Sequence, residues 1–431
     1  MSEKKTENKI SDEFEKATNY ELTDHDIERA RLLIGIDLAC RDKEQITKIT
    51  EDNIRTYAQG CGSDNPLFVD EDYAEGTRWG GVFAPPIMSG FVNKPMLGDP
   101  IPKEIKDQTK SVFRGIHAFI SGGEWKFYKP MYPGDTIYSF SGETDLEVTP
   151  SEFAGRKVTR LNRSVKMNQR GEVVAEYTYR LILTERKKAR EKGKNLSIEP
   201  ASYNDDDLVR IDELYANDNP RGGDKLFFED VAVGGALTDS VRGPLTVTDV
   251  VNFHAAGYGW VPYGLRTGRM WHKNRQRIAP FYVKNDMGVP DVAQRLHWDS
   301  SWAQAIGNPR AYDYGVMREH YLYHYLAEWA GDDGWVVSMY DEIRKFNYMG
   351  DVQFVKGEII GKRVENGQCL VDISVSMINQ RDEETVRCTA TVALPSKEHG
   401  IVMLPEAAPE TKRRAVEMLA RHRELMAAKK A

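Results

Sequence analysis

Three short strings recur in the same order in the two halves of this 431-residue chain, so a duplicated unit is the strongest constraint on its fold. Thr50-Glu-Asp-Asn-Ile-Arg-Thr-Tyr57 is echoed 196 residues later by Thr246-Val-Thr-Asp-Val-Val-Asn-Phe253. Lys126-Phe127, followed by Tyr132-Pro-Gly134-Asp135-Thr136, is matched by Lys345-Phe346, followed by Tyr348-Met-Gly350-Asp351-Val352, at an offset of 216 between the glycines. Asn168-Gln-Arg-Gly171-Glu172 returns as Asn379-Gln-Arg-Asp382-Glu383 at an offset of 211. One such match could arise by chance; three in one order point to two copies of one unit.

The strings also carry local structure. Thr50 is a natural N-cap for a helix beginning beside it. Val371, Ile373, Val375 and Met377 alternate with Asp372, Ser374 and Ser376, the period of a half-buried strand. The Asn-Gln-Arg-Gly and Asn-Gln-Arg-Asp strings then read as turns, because Gly171 and Asp382 tolerate a positive φ. Second strands are expected over residues 173–183 and 385–394. Each half is therefore an α+β unit, an antiparallel sheet wrapped around a helix. The expected limits are a mobile tail (1–24), a first domain (25–190), a charged linker (191–225), a second domain (226–400) and a polar C-terminal helix (401–431).

Composition narrows the function classes. With 40% apolar residues and a mean hydropathy of -0.56 the chain is globular, and no apolar run is long enough to span a membrane. Its start lacks the apolar stretch of a signal peptide. Cys40, Cys61, Cys369 and Cys388 lie far apart without zinc spacing, which fits a reduced cytoplasm. A net charge of -7 argues against a nucleic-acid surface, although a few local Lys and Arg residues could hold one nucleotide-bearing ligand. Gly257-Tyr-Gly259-Trp lacks the context of a nucleotide loop, and His320 and His324 have no accompanying carboxylate set. No cofactor or metal is expected.

The loop Gly60-Cys-Gly62-Ser63-Asp64-Asn65-Pro66-Leu67-Phe68-Val69-Asp70 resembles the Gly-Asp-x-Asn-Pro-Leu-His-x-Asp motif of MaoC-like dehydratases, the (R)-specific enoyl-CoA hydratase family. That resemblance implies a double hot-dog fold acting on an acyl-CoA thioester. It also implies that the first half has lost its water-activating pair, since Ser63 and Phe68 stand at the Asp and His positions. In the second half Leu296-His297-Trp298-Asp299 resembles the Leu-His-x-Asp segment, with His297 opposite Phe68 and Asp299 opposite Asp70. His297 is thus the expected acid/base, because imidazole moves a proton near neutral pH. Asp299 reads as the N-cap of the following Ser300-Ser-Trp-Ala303 helix.

The carboxylate partner is not at its usual place, which Val292 occupies; Asp291 and Asp313 are the candidates. Gly315 opens an amphipathic run through Trp329, the candidate central helix, and its backbone amide would stabilise an enolate oxygen or simply pack tightly. His254 is an outlying candidate. Eleven residues separate Tyr57 from Phe68 but 44 separate Phe253 from His297, so about 33 are inserted, around 258–293. A substrate-covering loop and an oligomer contact are equal readings of that insert. The expected activity is hydration or dehydration of an enoyl-CoA, in a homodimer or with another hot-dog protein. The alternatives are a non-catalytic subunit of a heteromeric hydratase and an acyl-CoA thioesterase.

Overall fold

The computed structural model describes residues 12–18, 20–39, 45–113, 115–151, 155–185, 198–258 and 265–429. The tail before residue 12, Cys40, linker residues 186–197, and Trp260 and Tyr263 of the insert lie outside the described residues.

Ten strands form one antiparallel sheet. The first half supplies β1 (Leu38–Ala39), β2 (His117–Phe127), β3 (Tyr138–Ser151), β4 (Gly155–Met167) and β5 (Val173–Thr184). The second supplies β6 (Ser240–Arg242), and then, beyond a separate hairpin of β7 (Tyr282–Lys284) and β8 (Pro290–Val292), β9 (Trp335–Ile343), β10 (Gln353–Glu365), β11 (Gln368–Asn379) and β12 (Glu384–Ala393). The order is β1-β3-β4-β5-β2 in one half and β6-β10-β11-β12-β9 in the other, the same topology twice. β2 and β9 join the halves antiparallel, with Trp125 opposite Met339. The double hot-dog is thus continuous across its seam.

The repeated strings coincide at the level of side chains. In the first half Gln169 accepts from the Thr136 amide (2.8 Å) and donates to Asp135 (3.0 Å), while Lys129 pairs with Glu172 (2.9 Å). In the second, Gln380 accepts from the Val352 amide (3.1 Å) and donates to Asp351 (2.7 Å), while Lys345 pairs with Glu383 (2.5 Å). The counterpart of Lys345 is therefore Lys129, not the Lys126 suggested by the shared Lys-Phe pair. Gly171 and Asp382 both take positive φ, +82° and +57°, as the turn reading required. Thr50 and Thr246 both close capping boxes, with Asn53 and Asp249.

The halves differ in their central helix. Gly315–Ala330 fills the second, ending where Gly331 takes φ +72°. The corresponding stretch of the first half holds only a tight turn, Pro86–Gly90, and a short helix with no buried residue, Lys103–Gln108, among the described residues. Pro85, Pro86, Pro95, Pro100 and Pro102 explain the shortening, since proline removes a helical donor and clashes with the preceding turn. One long helix consequently serves both halves. Instead of one apolar face it is buried nearly all round, with Arg318, Glu319, His320, His324 and Glu328 inside alongside Leu322 and Leu326. Most of these polar groups meet partners: Tyr177 and Trp125 donate to Glu319 (2.6 and 3.1 Å), and Tyr57 joins His320 (2.7 Å).

Two segments outside the sheet tie down its ends. Within the expected linker, Asn204 and Asp207 form a capping box that starts the helix Asp205–Asn217, and Ile211 packs on Val241 and Val352. The C-terminal helix, Pro409–Ala428, docks on the first half through Met418 and Leu419, and Arg414 pairs with Asp37 (2.7 Å) and Asp99 (2.6 Å).

Candidate active site

Two copies of the helix-entry loop make two comparable places in the fold. In the first half Asp70 caps Glu71–Glu75 by accepting from the Tyr73 amide; in the second Asp299 caps Ser300–Ala305 by accepting from the Trp302 amide. Asp299 also receives Arg295 at 3.1 Å. This is the capping role expected from its match to Asp70.

His297 lies just before that cap, half-buried at the head of the central helix. Its Nδ1 is 2.9 Å from the carbonyl oxygen of Tyr312. A carbonyl can only accept, so Nδ1 carries the proton and the Nε2 lone pair remains to take one. Burial pushes this imidazole down to about 4, while the backbone carbonyls of Tyr312 and Asp313 pull the other way. It is therefore neutral at physiological pH.

Tyr314 organises the surroundings. Its ring lies 3.8 Å from the His297 ring, centre to centre, and its hydroxyl is 3.2 Å from His254 Nε2. Tyr258 closes against it at 4.7 Å and Trp298 lies 6.3 Å from His254. His254, also held down to about 4 by burial, is thus one side chain away from His297. The sequence reading assigned Tyr314 no role; its place directly before Gly315, at the N-cap, was the available signal.

Tyr314 gives the helix no side-chain cap; its carbonyl accepts from the Met317 amide (2.8 Å), and the Gly315 end carries the positive end of the dipole. A Cβ on Gly315 would come 2.8 Å from Ile343 Cδ1, so the glycine also answers a packing need.

Neither expected carboxylate reaches His297. The Asp291 carboxylate turns back onto the amide of Val292 (2.7 Å), on a strand of the insert hairpin. Asp313 is committed to Arg318 (3.0 Å) and Asn347 (3.1 Å), a buried pair that braces the helix entry. Burial raises its carboxyl to about 6 against the pull of Arg318. Among the described residues no carboxylate hydrogen-bonds the ring, and a backbone carbonyl orients it instead.

At the equivalent place in the first half, Phe68 is buried between Phe83 (5.5 Å) and His324 (6.0 Å), and Ser63 donates to Glu328 (2.7 Å). The vacated positions are filled by packing against the central helix. A cavity of about 20 Å³ beside Phe68, Asn65 and Tyr323 is of the size of a water molecule, not of an acyl group.

Residues 38–177 match the family model of the FAS1-like dehydratase domain region. No curated protein matches the chain by sequence. Among solved structures, one described as a MaoC-like dehydratase is similar over 84% of this chain and 98% of its own, at 15% identity and a TM-score of 0.54. A MaoC domain protein dehydratase from Chloroflexus aurantiacus is 14% identical over 84% of this chain and 96% of that one, with a TM-score of 0.44. A double hot-dog protein from Mycobacterium tuberculosis is 11% identical over 82% and 96%, with a TM-score of 0.43. Strand order and duplicated turns, with the match to the first of these structures, make the chain a double hot-dog protein with the fold of the MaoC-like dehydratases, and the family model places a FAS1-like dehydratase region in its first half.

Proposed function

We propose that the chain is a hydro-lyase that interconverts an enoyl-CoA and a 3-hydroxyacyl-CoA, with His297 as acid and base. The observation that carries the reading is the tautomer of His297: Nδ1–H donates to the Tyr312 carbonyl, leaving the Nε2 lone pair to accept a proton. In the hydration direction a water oxygen bonds to Cβ of the substrate as its proton passes to Nε2. The C=C electron pair moves toward the thioester carbonyl, whose oxygen becomes negative. The uncapped amide end at Gly315 supplies donors and the helix dipole for that charge. The imidazolium then returns the proton to Cα, and water has been added across the double bond.

A non-catalytic subunit remains the second reading, favoured by the one observation that no carboxylate among the described residues holds His297. The test is to incubate the purified protein with a set of enoyl-CoAs and analyse products by mass spectrometry. 3-Hydroxyacyl-CoA supports the hydratase, free CoA would identify a thioesterase, and no product until a second hot-dog protein is added would identify the subunit.

A further inference from the structure

From residue 250 to residue 285 there is no Asp or Glu, yet six residues are Lys or Arg: Arg266, Arg269, Lys273, Arg275, Arg277 and Lys284. This lies in a chain whose net charge is -7, so the local excess is strong and opposite in sign to the rest. The stretch is the insert, and its helix Gly268–Arg277 sorts these charges by face. Arg269, His272, Lys273, Gln276 and Arg277, at i, i+3, i+4, i+7 and i+8, are all exposed, while Trp271, Asn274 and Arg275 turn inward. The outward stripe runs roughly 12 Å along the helix at the usual rise per residue.

Such a stripe normally meets carboxylates. Arg269, Lys273 and Arg277 form no ion pair among the described residues, although ion pairs are common elsewhere on the surface. Arg277 donates instead to the side-chain oxygen of Asn274, at 3.0 Å.

The stripe is rooted at the candidate site by both ends of the insert. Before it, Tyr258 packs on Tyr314. After it, Phe281 packs in the cluster that holds Leu296, the neighbour of His297. A cationic surface attached to the reaction centre, but outside it, suits a substrate whose anionic end is separated from its reacting end by a long neutral arm.

We propose that Arg269, Lys273 and Arg277 bind the phosphates of the 3′-phospho-ADP end of coenzyme A, so that the insert selects free CoA thioesters over carrier-protein thioesters. This rests on the acyl-thioester reading of the His297 site. Three cationic side chains face three phosphate groups, and the arginine forks suit phosphate oxygens. An acidic carrier protein would meet the net negative charge of the remaining surface, whereas a small polyanion feels mainly the local field.

The test is calorimetric titration of the full chain with CoA, dephospho-CoA and pantetheine, for the wild type and for the exposed-face variant R269E/K273E/R277E. CoA should bind the wild type with an affinity that falls with salt, and lose tenfold or more in the variant. Dephospho-CoA should bind the wild type more weakly than CoA, and pantetheine should not distinguish the two proteins. Equal CoA affinity in variant and wild type, or no CoA binding to the wild type, overturns the proposal. So does a variant that loses turnover only with carrier-protein thioesters. The titration needs no turnover, so CoA binding through the stripe without hydration would sink the hydratase reading and leave this one standing.

Discussion

The Ser63 hydroxyl donates to the Glu328 carboxylate across the two halves at 2.7 Å, at the position where the resembling family carries its catalytic carboxylate. A loop of one half and the long helix of the other thus meet at a buried polar contact. Burial raises the Glu328 carboxyl to about 7, and the Ser63 hydrogen bond only partly offsets this.

The first prediction follows from that carboxyl. Between its ordinary 4.5 and about 7, the folded chain keeps a proton that the unfolded chain has released. Stability therefore falls as pH rises through this window, by on the order of 3 kcal/mol from this group. Glu328→Gln keeps a hydrogen-bonding partner for Ser63 without the charge. Urea unfolding at pH 5 and pH 8 should show a smaller alkaline loss in the variant; an unchanged loss would mean that Glu328 ionises without penalty.

His297→Ala should lower kcat by about a hundred- to ten-thousand-fold with little change in KM on a confirmed substrate. The pH profile supplies an independent check. A base must be neutral to act, and burial holds this ring down to about 4. The acid limb of kcat/KM should accordingly lie near 4. A limb near the ordinary histidine value would count against both buried histidines, since His254 is held down to about 4 as well; near-normal turnover in His297→Ala would make His254 the next residue to replace.

The duplicated turns should be unequal in strength. Arg381 donates to both oxygens of the buried Asp351, at 2.7 and 2.6 Å, whereas the more exposed Arg170 reaches Asp135 through one contact at 3.2 Å. Arg381→Ala should cost about 3 kcal/mol by leaving Asp351 underpaired. Arg170→Ala should cost about 1 kcal/mol or less. Chemical denaturation of the two single variants measures the difference directly, and equal losses would refute it.

Phe68→His should gain no hydratase activity. The new ring would sit in a packed site between Phe83 and His324, with Ser63 unable to serve as its carboxylate. A measurable rate when Phe68→His is added to a His297→Ala background, above that of His297→Ala alone, would show that the first half is still a working site.

Much of this was legible because local rules act over short stretches. The capping boxes at Thr50 and Thr246, the cap at Asp299 and the positive φ at Gly171 and Asp382 each depend on a few neighbouring residues. Tertiary facts were less accessible. Pairing Lys345 with Lys126 followed a shared dipeptide, while register placed it with Lys129 at the true offset. The central helix read as one-sided because the sequence does not reveal that β2, β5 and the helix of Tyr57 in the other half enclose its polar face. The partner of His297 was sought among carboxylates, yet its orienting group is a main-chain carbonyl, which every residue has and no sequence pattern marks. Tyr314 escaped for a related reason: its importance lies in touching two histidines 17 and 60 residues away in the chain.

The sheet terminates in very short strands, two residues in β1 at one margin and three in β6 at the other. Long, flat margins would offer rows of unpaired amides and carbonyls to any neighbouring chain, the usual route to fibril growth. Here the two fused units consume each other's inner margins, whereas β1 covers β3 only at Phe140 and Ser141 and β6 covers β10 only from Gln353 to Val355, which leaves most of both long strands as outer edges. The open stretches of β3 and β10 are therefore the margins on which another chain could add a strand.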